Sequence, residues 1–205
     1  YRAKRKVGGK TMEEHLKFAV CYWHTFKGTG GDPFGGGVYE RPWDQADTPM
    51  GVAEDTVQAA FEFFKKLGVP YWCFHDRDIA PEGDSGRESA KNLNAIVQIA
   101  KKKQKETGVK LLWGTANVFS HARYVHGAGT NPDPLVFAHA AAQIRRAIDA
   151  TITLGGRGYV FWGGREGYVS LINTNMKQER EQLAALLQSG LYLCFAIINS
   201  PAKVL

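Results

Sequence analysis

The sequence predicts an α/β protein built on a parallel sheet. Short apolar, β-prone runs alternate with longer segments whose apolar residues recur every three or four positions, and this happens four times in succession. Glycine or proline marks most of the junctions. Strands that alternate with long helices form a parallel sheet, either doubly wound or closed into a barrel.

The elements follow in order. Lys17 to Trp23 is the first β-prone run, and Gly28 to Gly37 is a glycine-rich loop. Val52 to Leu67 places Val57, Ala60, Phe61, Phe64 and Leu67 on one helix face, and Gly68 stops it. Pro70 then opens a second strand, Tyr71 to Phe74. Glu88 to Lys105 is helical, with Leu93, Ile96, Val97 and Ala100 together, and Val109 to Trp113 is the third strand. Asp133 caps an alanine-rich helix that starts at Pro134, reaches about Leu154 and stops at Gly155-Gly156. Tyr159 to Trp162 is the fourth strand, and a last helix begins near Asn175. No G-x-G-x-x-G follows the first strand and no G-x-x-x-x-G-K-[ST] is present, which weighs against a nucleotide site. A complete barrel takes about 250 residues and eight units, and four units are visible here.

Composition narrows the class further. The chain has 205 residues, 44% of them hydrophobic and 22% charged, which is ordinary globular usage and suits one domain or slightly more. No apolar run reaches membrane length, so no membrane association is expected. The net charge of +6 is local. Arg2, Lys4, Arg5, Lys6 and Lys10 precede a remainder with 21 basic and 20 acidic residues. The first eleven residues therefore read as a solvated, frayed basic extension, and nucleic acid is not an expected partner. Cys21, Cys73 and Cys194 show no disulfide or metal-ligand spacing, which fits the cytoplasm.

Chemistry-bearing residues gather just after the strands. Trp23 and His24 follow the first, and His75, Asp76, Arg77 and Asp78 the second. Trp113, Thr115, Asn117 and Phe119 lie at the third, and Trp162, Arg165 and Glu166 at the fourth. Ligands of parallel α/β folds bind at these carboxyl ends. His75-x-x-Asp78 is the sharpest local feature. A carboxylate beside an imidazole can fix its tautomer for proton transfer, although such pairs also serve as structural contacts. Trp23, Trp113, Phe119 and Trp162 suit the C–H faces of a sugar, but taken ring by ring their spacing favours core packing. His15 and His139 read as surface or cap residues, and His24, His121 and His126 as loop residues near the proposed mouth. No i, i+4 histidine pair or H-E-x-x-H suggests a metal site. The run Lys101 to Lys105 reads as a solvated helix end.

Four stretches resemble xylose isomerase, most closely its longer class II form. They are Ala19-Val20-Cys21-Tyr22-Trp23-His24-Thr25-Phe26, Trp72-Cys73-Phe74-His75-Asp76-Arg77-Asp78, Trp113-Gly114-Thr115-Ala116-Asn117-Val118-Phe119 and Tyr159-Val160-Phe161-Trp162-Gly163-Gly164-Arg165-Glu166-Gly167-Tyr168. Asp32-Pro33-Phe34-Gly35 and Asn173-Thr174-Asn175-Met176-Lys177 fit as well, though the family more often has Asp where Asn175 stands. The resemblance covers about residues 12–188 and implies roughly the first four units of a (β/α)8 TIM barrel. It also implies interconversion of D-xylose and D-xylulose, and often of glucose and fructose. By resemblance, His75 opens the sugar ring and Asp78 orients it. Trp23, Trp162, Thr115 and Phe119 line the sugar site, and Phe34 enters a neighbouring subunit's site, which implies a homo-oligomer. A Mg2+ or Mn2+ pair would promote a 1,2-hydride shift.

The family's metal ligands and catalytic lysine, in an E-P-K-P motif, are absent from these 205 residues. Similarity ends after Gln188, and residues 189–205 form an apolar tail unlike the family. The expectation is a truncated isomerase, inactive by itself, with a non-catalytic half-barrel assembly or binding module as the alternative. Two copies closing against each other would cover the open strand edges.

Overall fold

The computed structural model describes residues 1–167, 170, 172 and 174–198, the side chains of 193–198 excepted. The chain opens with a hairpin, β1 (Lys6–Val7) and β2 (Lys10–Thr11), and a short helix α1 (Met12–His15). The main sheet contains β3 (Ala19–Cys21), β4 (Tyr71–His75), β5 (Lys110–Thr115) and β6 (Gly158–Tyr159). All three pairings are parallel, and the strands lie side by side in chain order. Helices α2 (Pro49–Leu67), α4 (Gly86–Thr107) and α5 (Pro134–Thr153) connect them, a single turn α3 (Asp76–Ile79) follows β4, and α6 (Met176–Ile198) comes last.

Chain order without reversal means that the described strands contain no topological switch point of the doubly wound kind. Helix α2 packs on α4, α4 on α5 and α5 on α6, so the helices form one layer. They cover one face of the sheet. Val20, Trp72, Phe74 and Leu111 point from the strands into that layer and meet Phe61, Phe64, Ile96 and Val97. A second cluster joins Ala116 and Val118 to Ile144, Ile148 and Leu186. The opposite face carries Cys21, Cys73, Trp113 and Thr115, aligned by the pairings Cys21↔Cys73, Cys73↔Trp113 and His75↔Thr115.

One irregularity decides what that open face carries. Trp72 pairs with Leu111, yet the next residue, Cys73, pairs with Trp113. Leu112 is the extra residue of a bulge. Side chains alternate along a strand, so the insertion flips every later residue of β5 to the other face. Without it Trp113 would point into the helix layer beside Phe74. Instead Gly114 takes that place, where an added Cβ would collide with Phe74 and with the Thr151 hydroxyl.

Asp133 caps α5 through its side chain and Gly68 closes α2, as the sequence predicts. Helices α2 and α4 begin two to three residues earlier than the apolar periodicity indicated, at the side-chain caps Thr48 and Ser85, which the sequence reading did not name. Two expectations need correction. The basic N-terminus is exposed but ordered as a hairpin, turned at Gly8-Gly9 and closed by a Thr11–Glu14 capping box. The fourth strand covers Gly158–Tyr159 only. Among the described residues it ends the sheet, and beyond it the bond from Val160 N–H to the Gly114 carbonyl extends the pairing. The apolar stretch after Gln188 continues α6 as far as Ile198, and residues 199–205 lie outside the described residues, as do Tyr168 and Asn173. Among the described residues, no helix is long and apolar enough to cross a membrane.

Candidate active site

The carboxyl ends of β3, β4, β5 and β6 surround a concave site of about 510 Å³, within the usual range for small-molecule pockets. Trp23, His24, His75, Trp113, Thr115, Phe119, Val160 and Trp162 line it. Trp23 belongs to a π-helical turn, Trp23–Lys27, directly after β3. Such turns are rare and recur at functional sites.

His75 is the last residue of β4 and Asp78 lies in the helical turn after it. An i, i+3 spacing on a helical turn puts both side chains on one side. The His75 Nδ1 and Asp78 Oδ2 atoms are 2.6 Å apart. Both side chains are mostly shielded, at 12% and 16% exposure. The carboxylate therefore favours hydrogen on Nδ1 and leaves Nε2 as the ring nitrogen able to take a proton. Trp23 covers the imidazole at a ring-centroid distance of 4.2 Å, and Phe119 meets it edge-on at 5.3 Å. Phe119 also meets Trp162 at 4.3 Å, and Trp113 stands 5.4 Å from Trp23.

All four aromatic rings thus stand at the pocket, and the core-packing reading does not hold for them. Trp162 is 51% exposed. The tryptophan that packs in the core is Trp72, 1% exposed, with its indole N–H donated to Gln104 Oε1. Thr115 lines the site, but its hydroxyl is donated to the Val160 carbonyl, so it ties β5 to the segment carrying Trp162. Phe34 lies elsewhere. It sits in a tight turn where Asp32 accepts from the N–H groups of Phe34 and Gly35, and it is 98% exposed.

Beneath the pair is a network to which the sequence reading assigned no role, although it placed Asp76 and Asn117 at the strand ends. Asp76 is buried and its carboxylate accepts from Asn117 N–H at 2.7 Å, Arg77 N–H at 2.9 Å and Gln143 Nε2 at 2.9 Å. Gln143 also accepts from the Tyr124 hydroxyl. Burial raises the Asp76 pKa, against the opposing pull of Arg77 and these donors. The network joins the end of β4 to the end of β5 and to α5. Its only sequence signal was position, between His75 and Asp78 on a turn that must aim one residue inward.

Near Asp78, the Lys27 ammonium is partly withdrawn from water. Burial lowers its pKa, and the Asp44 and Asp78 carboxylates counteract this. His139 is a partly exposed residue of α5, in keeping with the surface reading. Its Nε2 faces Arg123 Nη1 at 2.6 Å, in a cluster with Glu82 and His121. Among the described residues no three His, Cys, Asp or Glu side chains converge as a metal site, so the donors present do not fit a divalent pair.

No family model matches the chain. Curated relatives do. The chain is 58% identical over 188 residues to the xylose isomerase of Photobacterium profundum, which covers 92% of this chain and 43% of that one. It is 59% identical to xylose isomerase 2 of Xanthomonas campestris, covering 91% and 42%. The xylose isomerase of Caldanaerobacter subterraneus is 57% identical, at 91% and 43%. The chain therefore spans about two fifths of the length of these relatives. Among solved structures, a Rhodospirillum rubrum protein provisionally named a xylose isomerase superposes with a TM-score of 0.51, covering 87% of this chain and 49% of that one at 14% identity, a likeness of fold.

Proposed function

Because the chain is a segment of the xylose isomerase family, we propose that it forms the ring-opening side of an aldose–ketose isomerase acting on D-xylose, with glucose as a further substrate. The observation that carries this reading is the His75–Asp78 pair, 2.6 Å apart, inside an aromatic pocket at the strand ends. The sheet is read as the first four units of a (β/α)8 barrel, a reading supported by chain-order parallel strands under one helix layer.

The chemistry follows from proton positions. A cyclic aldose opens when its anomeric hydroxyl loses a proton and the ring oxygen gains one as the C1–O5 bond breaks. His75 Nε2 accepts the first proton while Asp78 stabilises the imidazolium. The imidazolium then returns a proton to the ring oxygen, so the histidine ends as it began. Trp23, Phe119 and Trp162 hold the sugar by its C–H faces and keep water from the imidazole. Phe34, projecting from its turn, is read as reaching a second copy's site in a homo-oligomer.

The hydride shift has no carrier among the described side chains, and these 205 residues by themselves are expected not to turn xylose into xylulose even with added magnesium. Turnover that disappears in His75→Ala would contradict that division of labour. The competing reading, a non-catalytic assembly module, is favoured by the position of β3 and β6 at the two ends of a four-stranded sheet among the described residues. It predicts that xylose leaves the tryptophan fluorescence of the chain unchanged, whereas the isomerase reading predicts a saturable change that His75→Ala weakens.

A further inference from the structure

Trp162 stands on weak support. It follows a two-residue strand, is half exposed, and lies beside Gly163 and Gly164. Its indole lies so close over Gly164 that a Cβ there would come within 1.9 Å of the ring. Something beyond the sheet has to hold this wall in place.

Four residues further on, the Glu166 carboxylate reaches the loop that leads into α5. It accepts from the backbone N–H groups of Ala128 at 3.1 Å, Gly129 at 3.0 Å and Thr130 at 2.9 Å, and from the Thr130 hydroxyl at 2.8 Å. Three successive N–H groups pointing at one anion form a nest, and hydrogen bonds to a charged acceptor are the strong kind. Gly127 lets the backbone turn toward the carboxylate, with φ +85° and only 2.7 Å from an added Cβ to Glu166 Oε2. The neighbouring Arg165 donates to the Phe119 carbonyl at 3.3 Å. Two adjacent side chains thus fasten the Trp162 segment to the loop bearing Phe119, and those two rings touch.

We propose that Glu166 is a positioning residue that fixes the Trp162–Phe119 wall of the pocket by locking the post-β6 segment into the nest at residues 128–130. The proposal rests on the sugar-site reading for its purpose, but not for its geometry. It acts through Trp162 and touches no substrate itself.

The experiment uses the full chain labelled with 5-fluorotryptophan, which gives five resonances for five tryptophans, with Trp162 assigned by Trp162→Phe. Glu166→Ala is expected to shift and broaden the Trp162 resonance and to leave that of buried Trp72 in place. Glu166→Gln should do the same, because its amide presents N–H groups to a nest that offers only donors. An unmoved Trp162 resonance in both folded variants overturns the proposal. If the alanine variant disturbs Trp72 as well, Thr130→Val, which removes only the hydroxyl contacts, decides by the same two signals. D-xylose added to the unaltered chain tests the underlying reading separately. A xylose-dependent shift at Trp162, weakened several-fold by Glu166→Gln, supports both claims. No response in the unaltered chain overturns the sugar reading while the sugar-free spectra decide the clamp.

Discussion

The two faces of one four-stranded sheet use the same kinds of side chain for opposite ends. On the helix-covered face Trp72 lies between Phe61 and Phe64 and is 1% exposed. On the open face Trp23, Trp113 and Trp162 border a pocket and partly meet solvent. Neighbouring strand positions separate the two sets, and the bulge at Leu112 moves Trp113 from one to the other. The covered face is shaped by volume, where each atom removed leaves a void. The open face is shaped by where rings and polar atoms stand.

That contrast sets the size of mutational effects. Trp72→Ala creates a large cavity and loses the bond to Gln104, so it should cost about 3–5 kcal/mol, and urea denaturation should show an unfolded or barely folded chain. A loss below about 1 kcal/mol would mean that the covered face is not the core.

Asp76→Ala comes next. It strands the donors of Asn117 and Gln143 in a buried site and should cost about 2–3 kcal/mol in the same assay. Because burial raises the Asp76 pKa, the stability from this group is present below about pH 4 and declines as pH rises through its folded pKa. Asp76→Asn should flatten that part of the profile.

Trp113→Ala should cost only about 1 kcal/mol, yet reduce any sugar response in fluorescence more than Trp72-face substitutions that leave the chain folded. Equal stability losses at Trp72 and Trp113 would erase the distinction between the faces.

The smallest effect concerns the rim. Burial and the nearby Arg123 lower the His139 pKa, with Arg77 and Arg146 acting in the same direction and Glu82 opposing. The unfolded chain then takes up the proton first. Stability from this group is present above about pH 6.5 and is lost as pH falls through its folded pKa. The melting temperature should therefore fall less between pH 8 and pH 5 in His139→Gln than in the unaltered chain.

Much of this was legible in the sequence because the signals are local. The apolar periodicity of α2, α4 and α5, the Asp133-Pro134 start and the Gly68 stop each depend on residues within a turn or two. The His75–Asp78 pair was legible for the same reason. What the sequence reading missed depends on distant contacts or on pairing. The extent of β6 depends on its place at the end of the sheet among the described residues. The direction of Trp113 depends on a bulge that no residue type announces. The roles of Asp76 and Glu166 depend on donors that arrive from 36 to 67 residues away. Polar residues at the strand ends marked the place, and tertiary contacts assign the tasks.

The most direct test follows the anomers of D-xylose by exchange NMR in the presence of the chain, because ring opening alone interconverts them and requires no hydride shift. The account predicts faster anomer exchange with the unaltered chain, abolished by His75→Ala and reduced by Asp78→Asn. Exchange no faster than in buffer, or equally fast with His75→Ala, would contradict it.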